Sequence, residues 1–192
     1  IAYALNQYCR FEENLDRIHI EALLNIVGYL AKFPNKGIHY ARGEWKGKVN
    51  LTAFADSSFA DAMPMRQSSY RYVVYLNDHL IDWTSKTTPT VAASTAEAEY
   101  VALSECTKEL LHIKNMLESV GIEVDKPLIA KSDSTRVMRI TTLDQITARS
   151  KHIDLRFHLV RERGQDGTLK IEKISTHDNT ADIMTKHLGP NR

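Results

Sequence analysis

The sequence predicts an α/β fold in which helices pack on a mixed sheet, and three observations carry that prediction. Two runs rich in β-branched and aromatic residues, 70–76 and 79–84, flank Asn77-Asp78, a pair suited to a two-residue hairpin. Residues 94–120 set Ala98, Ala102, Cys106, Leu110, Ile113, Leu117 and Val120 on one face at helical spacing. Strands come first and then alternate with helices, the order that gives a mixed sheet with helices on it.

The elements follow in order. Residues 15–33 place Leu15, Leu23, Leu24, Val27, Leu30 and Phe33 at mostly three- and four-residue steps, an amphipathic helix that supplies packing surface and stops at Pro34 and Gly37. A short extended run and the polar stretch GEWKGK lead to a boundary near Gly47, dividing residues 1–47 from residues 48–192. In 49–56, Val49, Leu51, Ala53 and Ala55 alternate with the other face, and the strand delivers the carboxylate of Asp56 at its end. The hairpin adds two more strands, making three antiparallel. Ser94 caps the long helix and Gly121 stops it. PLIAKSD is a short strand ending in Asp133, LKIEKI is a further strand, and DNTADIMTKHL is a closing helix with Asp178 as its N-cap.

Composition bounds the function. A chain of 192 residues, 43% hydrophobic and 26% charged, is long enough for one well-buried domain with an extra element or two. Lys and Arg number 25 against 24 acids, a net charge of +1, so a basic footprint for nucleic acid must be local. Cys9 and Cys106 lie far apart with no CxxC pattern, which indicates neither a disulfide framework nor a zinc site and points to a reducing compartment. No apolar run approaches the roughly 18 to 20 residues of a membrane span. The opening at Ile1, without methionine, reads as a piece of a longer polypeptide.

The carboxylates separate by context. Glu97, three residues after Ser94, fits a capping box. Glu105 lies beside Lys108 and Glu109 on the face turned to water. Glu99 adjoins the packing edge near Ala98 and Ala102, where neither cap nor solvated face accounts for it, and it points toward the sheet. Singly, Asp56 and Asp133 are also explained as turn residues. Together, Asp56, Glu99, Asp133 and Asp182 can converge outside the strand ends of an open α/β sheet. Four anions in one pocket repel unless hard cations lie between them, and an all-oxygen shell favours Mg²⁺ or Mn²⁺ over zinc. Two such ions about 4 Å apart align a water and stabilise the leaving oxygen of a phosphoryl displacement, so the chemistry implied is phosphodiester cleavage.

FADSSFAD, DWTSKTTPTVAASTAEAEYVALSE, KSDS, SKHIDLRFHLVRE and STHDNTADIMTK, taken jointly and in this order, resemble the ribonuclease H domain at the end of copia-type retrotransposon polyproteins. The resemblance covers nearly the whole chain, with IAYALNQYCRF and the helix after it similar to the tail of the reverse transcriptase. It implies a ribonuclease H-like fold with a five-stranded sheet whose first three strands are antiparallel. It also implies a catalytic and metal-binding tetrad of Asp56, Glu99, Asp133 and Asp182 holding two Mg²⁺ ions, with Mn²⁺ as the alternative. The activity implied is endonucleolytic cleavage of the RNA strand of RNA–DNA hybrids during reverse transcription. The partners are the hybrid and the reverse transcriptase domain of the same polyprotein, and the location is intracellular, in cytoplasmic virus-like particles. Three stretches depart from the family pattern: Arg71 where a small Gly is usual, Ser134-Thr135-Arg136 after Asp133, and His187 at a proline position. Arg71, Arg136 and the truncated-looking ends motivate the alternative of a non-catalytic nucleic-acid-binding or structural relic. An integrase-type core, with three acids ending in a glutamate, fits less well.

Residues 148–163 carry Arg149, Lys151, Arg156, Arg161 and Arg163 against Asp154 and Glu162, a local excess of three positive charges. If helical, Arg149, His152, Arg156 and Arg163 form a stripe beside Ile153, Phe157 and Val160. The stripe has two readings, a phosphate-tracking surface or a solvated face. His177, five residues before Asp182 in a loop, is a candidate for proton transfer. Cys106, Trp83 and Phe157 are expected in the core.

Overall fold

The computed structural model describes residues 1–43, 47–62, 66–88, 91–142 and 154–184. Helices α1 (Ala2–Cys9) and α2 (Arg17–Lys32) precede β1 (Lys48–Val49), β2 (Leu51–Ala62), β3 (Gln67–Leu76) and β4 (His79–Thr87). Then come α3 (Thr95–Ser119), β5 (Glu123–Val124), β6 (Leu128–Ser132), α4 (Thr135–Thr142), α5 (Asp154–Gln165) and β7 (Leu169–Lys173). Two 3₁₀ turns, Thr176–Asp178 and Thr180–Met184, follow. The main sheet has the order β4-β3-β2-β6-β7. Strands β2, β3 and β4 run antiparallel, whereas β6 lies parallel to β2 and β7 parallel to β6. This is the ribonuclease H-like arrangement that the sequence led us to expect. A two-stranded parallel pair, β1 with β5, was not foreseen; two residues per strand are too short to leave a periodic signal.

Asn77 and Asp78 turn the β3–β4 hairpin with φ of 47° and 66°, the left-handed geometry that matches strand twist. Alternation along β2 sends Leu51, Ala53 and Ala55 into the main core with Tyr72, Val74 and the buried face of α3. On the opposite side of the sheet, Val73, Ala181 and Met184 pack with Ala2, Phe54, Tyr75 and Leu80. The small side chains Ala53, Ala55, Ala98 and Ala102, all at most 1% exposed, let α3 lie close on β2 and bring its N-terminal end to the site. Each fully buried leucine such as Leu103 or Leu110 contributes about 2 kcal/mol by leaving water.

Several expectations are corrected. Strand β2 does not end at Asp56: its pairing with β3 continues through Ser57 and Ser58. Its parallel pairing with β6 does stop at Phe54, so Asp56 still lies beyond the β2–β6 ladder. Helix α2 forms, capped by Asp16 in a box with His19, but it buries no residue; Leu24, Val27 and Leu30 are exposed, so its apolar face supplies no core here. Val120, at 70% exposure, falls beyond the end of α3, and that helix is buried more broadly than one stripe, with Tyr100, Val101, Leu103 and Thr107 inside. The extra burial reflects packing of α4 and α5 against α3 in addition to the sheet. Trp83 is 44% exposed because its position on β4 turns it to a groove below α2. The closing segment is not an α-helix capped by Asp178 over its described residues. Asp178 belongs to the first 3₁₀ turn, and the Asn179 side chain accepts the Ala181 N–H at 3.2 Å to start the second. Cys106 is fully buried as expected, its thiol pushed upward in pKa by desolvation.

Candidate active site

Four acids were singled out, and the fold delivers three of them by different routes to one end of the sheet. Asp56 stands on β2, Asp133 directly follows β6, and Asp182 lies in the second 3₁₀ turn, which packs on β2 and β3. Asp56 feels the negative charge of both Asp182 and Asp133. Its carboxyl is raised from 3.8 to about 6, first by burial and then by those two neighbours, while the Arg71 cation and the Ser57 N–H pull it back. Such a mutual field is what gathered carboxylates produce before a cation compensates them.

Glu99 joins through a side chain of the loop that carries Asp133. The Ser134 hydroxyl, next to Asp133, donates to Glu99 Oε2. Ser134 Oγ also accepts the Val137 N–H at 3.3 Å and so caps α4. Glu97 and Glu105, the two glutamates weighed against Glu99, have local partners. Ser94 Oγ accepts the Glu97 N–H at 3.2 Å, and Glu97 reaches back to the Ala93 N–H at 2.7 Å, one residue before the position of a regular capping box. Glu105 pairs with Lys108 at 2.8 Å.

The segment carrying Asp182 is pinned to the sheet by buried Asn179. Its side-chain amide donates to the Ala55 carbonyl at 3.2 Å, and its own carbonyl accepts the Asp182 N–H at 3.0 Å. Asn179 and Ser134 were both missed as site residues. The signals were present, since an asparagine before Thr-Ala-Asp fits a side-chain-capped turn and a serine after Asp133 fits an N-cap.

Arg71 sits opposite Asp56 in the β2–β3 register and is fully buried. Its Nη2 donates to Asp61 Oδ2 at 3.2 Å, and Tyr3 of α1 places its ring 5.5 Å from the guanidinium carbon. A β-bulge between Ser58 and Ala62 turns Asp61 back onto this cation. Arg10 closes the cluster, with Nη2 donating to Ser69 Oγ at 2.8 Å and lying 3.5 Å from Asp61 Oδ2.

Oxygen ligands on Asp56, Glu99, Asp133 and Asp182 suit a hard divalent cation in kind and charge, and the raised Asp56 carboxyl is what such a cation would relieve. Among the described residues no three His, Cys, Asp or Glu side chains already close around one ion. The donor set therefore fits the group, but its coordination shell is not preformed.

The basic stripe fares differently. Arg149 and His152 lie outside the described residues, and of Arg156 only its place on α5 is described. Phe157 likewise has only its backbone described, whereas Val160 is buried as expected. Arg163 binds Asp166 at 2.7 Å and Glu162 at 3.5 Å, so its charge is already met within the chain. His177 is exposed, with Nδ1 3.5 Å from Asp178 Oδ1. No helix of the described residues is long and apolar enough to cross a membrane.

No family model matches the chain. The retrovirus-related Pol polyprotein from transposon RE1 of Arabidopsis thaliana is 33% identical over 189 residues, covering 98% of this chain and 13% of the relative. The corresponding polyprotein from transposon TNT 1-94 of Nicotiana tabacum is 34% identical over 192 residues, 100% of this chain and 14% of the relative. The chain thus spans about one seventh of the length of these curated relatives. Among solved structures, the N-terminal RNase H domain of Rv2228c from Mycobacterium tuberculosis overlaps with a TM-score of 0.48 and 16% identity, over 71% of this chain and 91% of that one. The strand order and directions given above carry the fold assignment.

Proposed function

We propose that this chain, which belongs to the Pol polyprotein family of copia-type retrotransposons, is a metal-dependent ribonuclease H that cuts the RNA strand of RNA–DNA hybrids. The observation that carries the reading is the shared electrostatic field of Asp56, Asp133 and Asp182, with Glu99 accepting a hydrogen bond from Ser134, the residue beside Asp133. These four side chains would hold the Mg²⁺ or Mn²⁺ ions. When bound, the ions supply a polarised water and charge stabilisation at the leaving oxygen.

The chain's own residues have distinct tasks in this reading. Ser134 holds Glu99 in place, and Asn179 fixes the turn that presents Asp182. His177, exposed on the neighbouring turn, is the group assigned to proton transfer. A hybrid offers an A-like minor groove with 2′-hydroxyls on one strand, so recognition would depend on strand chemistry and shape more than on sequence. The reverse transcriptase of the same polyprotein is the partner expected to deliver it.

The test uses a hybrid labelled in turn on each strand. The reading expects the RNA strand to be shortened with Mg²⁺ and both strands to survive in chelator; cleavage of the DNA strand, or cleavage indifferent to chelation, contradicts it. One observation favours a second reading, a non-catalytic hybrid-binding module: the buried cation Arg71 faces Asp56. Hybrid binding that survives chelation, without cleavage of either strand, would select it.

A further inference from the structure

We propose that Arg71 is a built-in counter-cation of the acidic site, supplying part of the positive charge the four acids require and thereby loosening the hold of this chain on divalent cations. The inference rests on the metal-dependent reading above and concerns a residue that departs from the family pattern.

Three observations carry it. First, the register sets Arg71 directly across from Asp56 on adjacent antiparallel strands, so the two side chains leave the sheet on the same face. Secondly, Arg71 has no exposed surface, and its Nε and Nη1 atoms are buried without a hydrogen-bond partner. Water therefore does little to screen its charge, and a buried guanidinium is costly unless other charges compensate it. Thirdly, Asp61 alone does not balance the cations around it. Arg71 and Arg10 both contact Asp61, at 3.2 and 3.5 Å, so two cations share one carboxylate and one positive charge is left over beside Asp56.

A leftover buried cation opposes the arrival of a doubly charged ion at the same carboxylates. At an effective dielectric near 20, this repulsion is enough to weaken affinity on the order of tenfold. The bulge and the N-terminal segment hold the cation in place: Asp61 reaches Arg71 because β2 bulges, Tyr3 comes from α1, and Arg10 caps the end of that helix. Residues from the N-terminal helix thus bear on the charge balance of the site.

The experiment measures Mn²⁺ binding to the full chain without substrate, by loss of the free-ion paramagnetic resonance signal. Arg71→Met removes the charge while keeping an unbranched side chain at the buried position, and it is expected to tighten Mn²⁺ binding about tenfold. Asp61→Asn is expected to weaken binding by a similar factor, because it removes the carboxylate that partly neutralises both arginines. Asp61 is partly exposed, so this second variant reports even if Arg71→Met does not fold. Unchanged affinity in a folded Arg71→Met protein, or in Asp61→Asn, overturns the inference while the metal-dependent reading stands, provided the parent chain binds Mn²⁺ and Asp133→Asn does not. Absence of Mn²⁺ binding by the parent chain overturns both.

Discussion

The hydroxyl of Ser134 donates to the carboxylate of Glu99 while its oxygen accepts the Val137 N–H, so one side chain ties the start of α3, the end of β6 and the start of α4 together. Ser134→Ala is expected to lower hybrid cleavage about tenfold by releasing Glu99, and to cost about 1 kcal/mol of stability through loss of the cap. Ser134→Thr keeps both bonds and should restore both. Steady-state cleavage and thermal melts of the two variants measure this; normal cleavage by Ser134→Ala would remove Glu99 positioning from the account.

Asp56 makes stability depend on pH in a direction its surroundings dictate. Its folded carboxyl titrates at about 6 against 3.8 in the unfolded chain, so the fold binds this proton more tightly. Without divalent cations, the contribution falls as pH rises through the window from about 4 to about 6. The shift of about two units corresponds to at most about 3 kcal/mol. Denaturant titrations in chelator should show the parent chain losing stability across that window relative to Asp56→Asn. Parallel curves for the two proteins would mean that Asp56 is not held in an acidic field.

The end of α3 tests backbone geometry alone. Gly121 has φ of 82°, and an added Cβ would meet nothing within 4 Å, so Gly121→Ala pays only for the left-handed conformation. The expected loss is about 1 kcal/mol, or roughly 2–4 °C in melting temperature. An unchanged melt would show that this turn relaxes without cost.

Arg163 was grouped with a phosphate-binding stripe, yet Asp166 and Glu162 hold it. Arg163→Ala is therefore expected to change hybrid affinity by less than about twofold at moderate salt, since an ion pair already satisfies this charge. Filter binding over a salt series measures it, and a clear drop with a shallower salt slope would return Arg163 to the nucleic-acid surface.

Much of this was legible in the sequence because the relevant patterns are local. The Asn77-Asp78 turn, the alternation of Leu51, Ala53 and Ala55, the Ser94 cap and the Gly121 stop each follow from neighbouring residues, and each appears in the structure. The choice of Glu99 over Glu97 and Glu105 also came from local context, and in the structure Glu99 accepts a hydrogen bond from Ser134. Features that depend on distant partners were hidden. Nothing near Arg71 foretells that Asp61, Tyr3 of α1 and Arg10 just after that helix will enclose it, and nothing near Trp83 shows that its side of β4 opens onto a groove. The apolar stripe of α2 was read as packing surface, but periodicity records only that a face is apolar, and Leu24, Val27 and Leu30 are exposed.

The central claim is that Asp56, Glu99, Asp133 and Asp182 act as one metal-holding unit. Cleavage of an RNA–DNA hybrid labelled on the RNA strand, with Mg²⁺, by the parent chain and by Asp133→Asn tests it most directly. The account expects the parent chain to cut and Asp133→Asn to lose on the order of a thousandfold in rate, equivalent to several kcal/mol of lost transition-state stabilisation, with its fold intact. Equal cleavage by both proteins, or none by either when the reverse transcriptase domain is supplied, would contradict it.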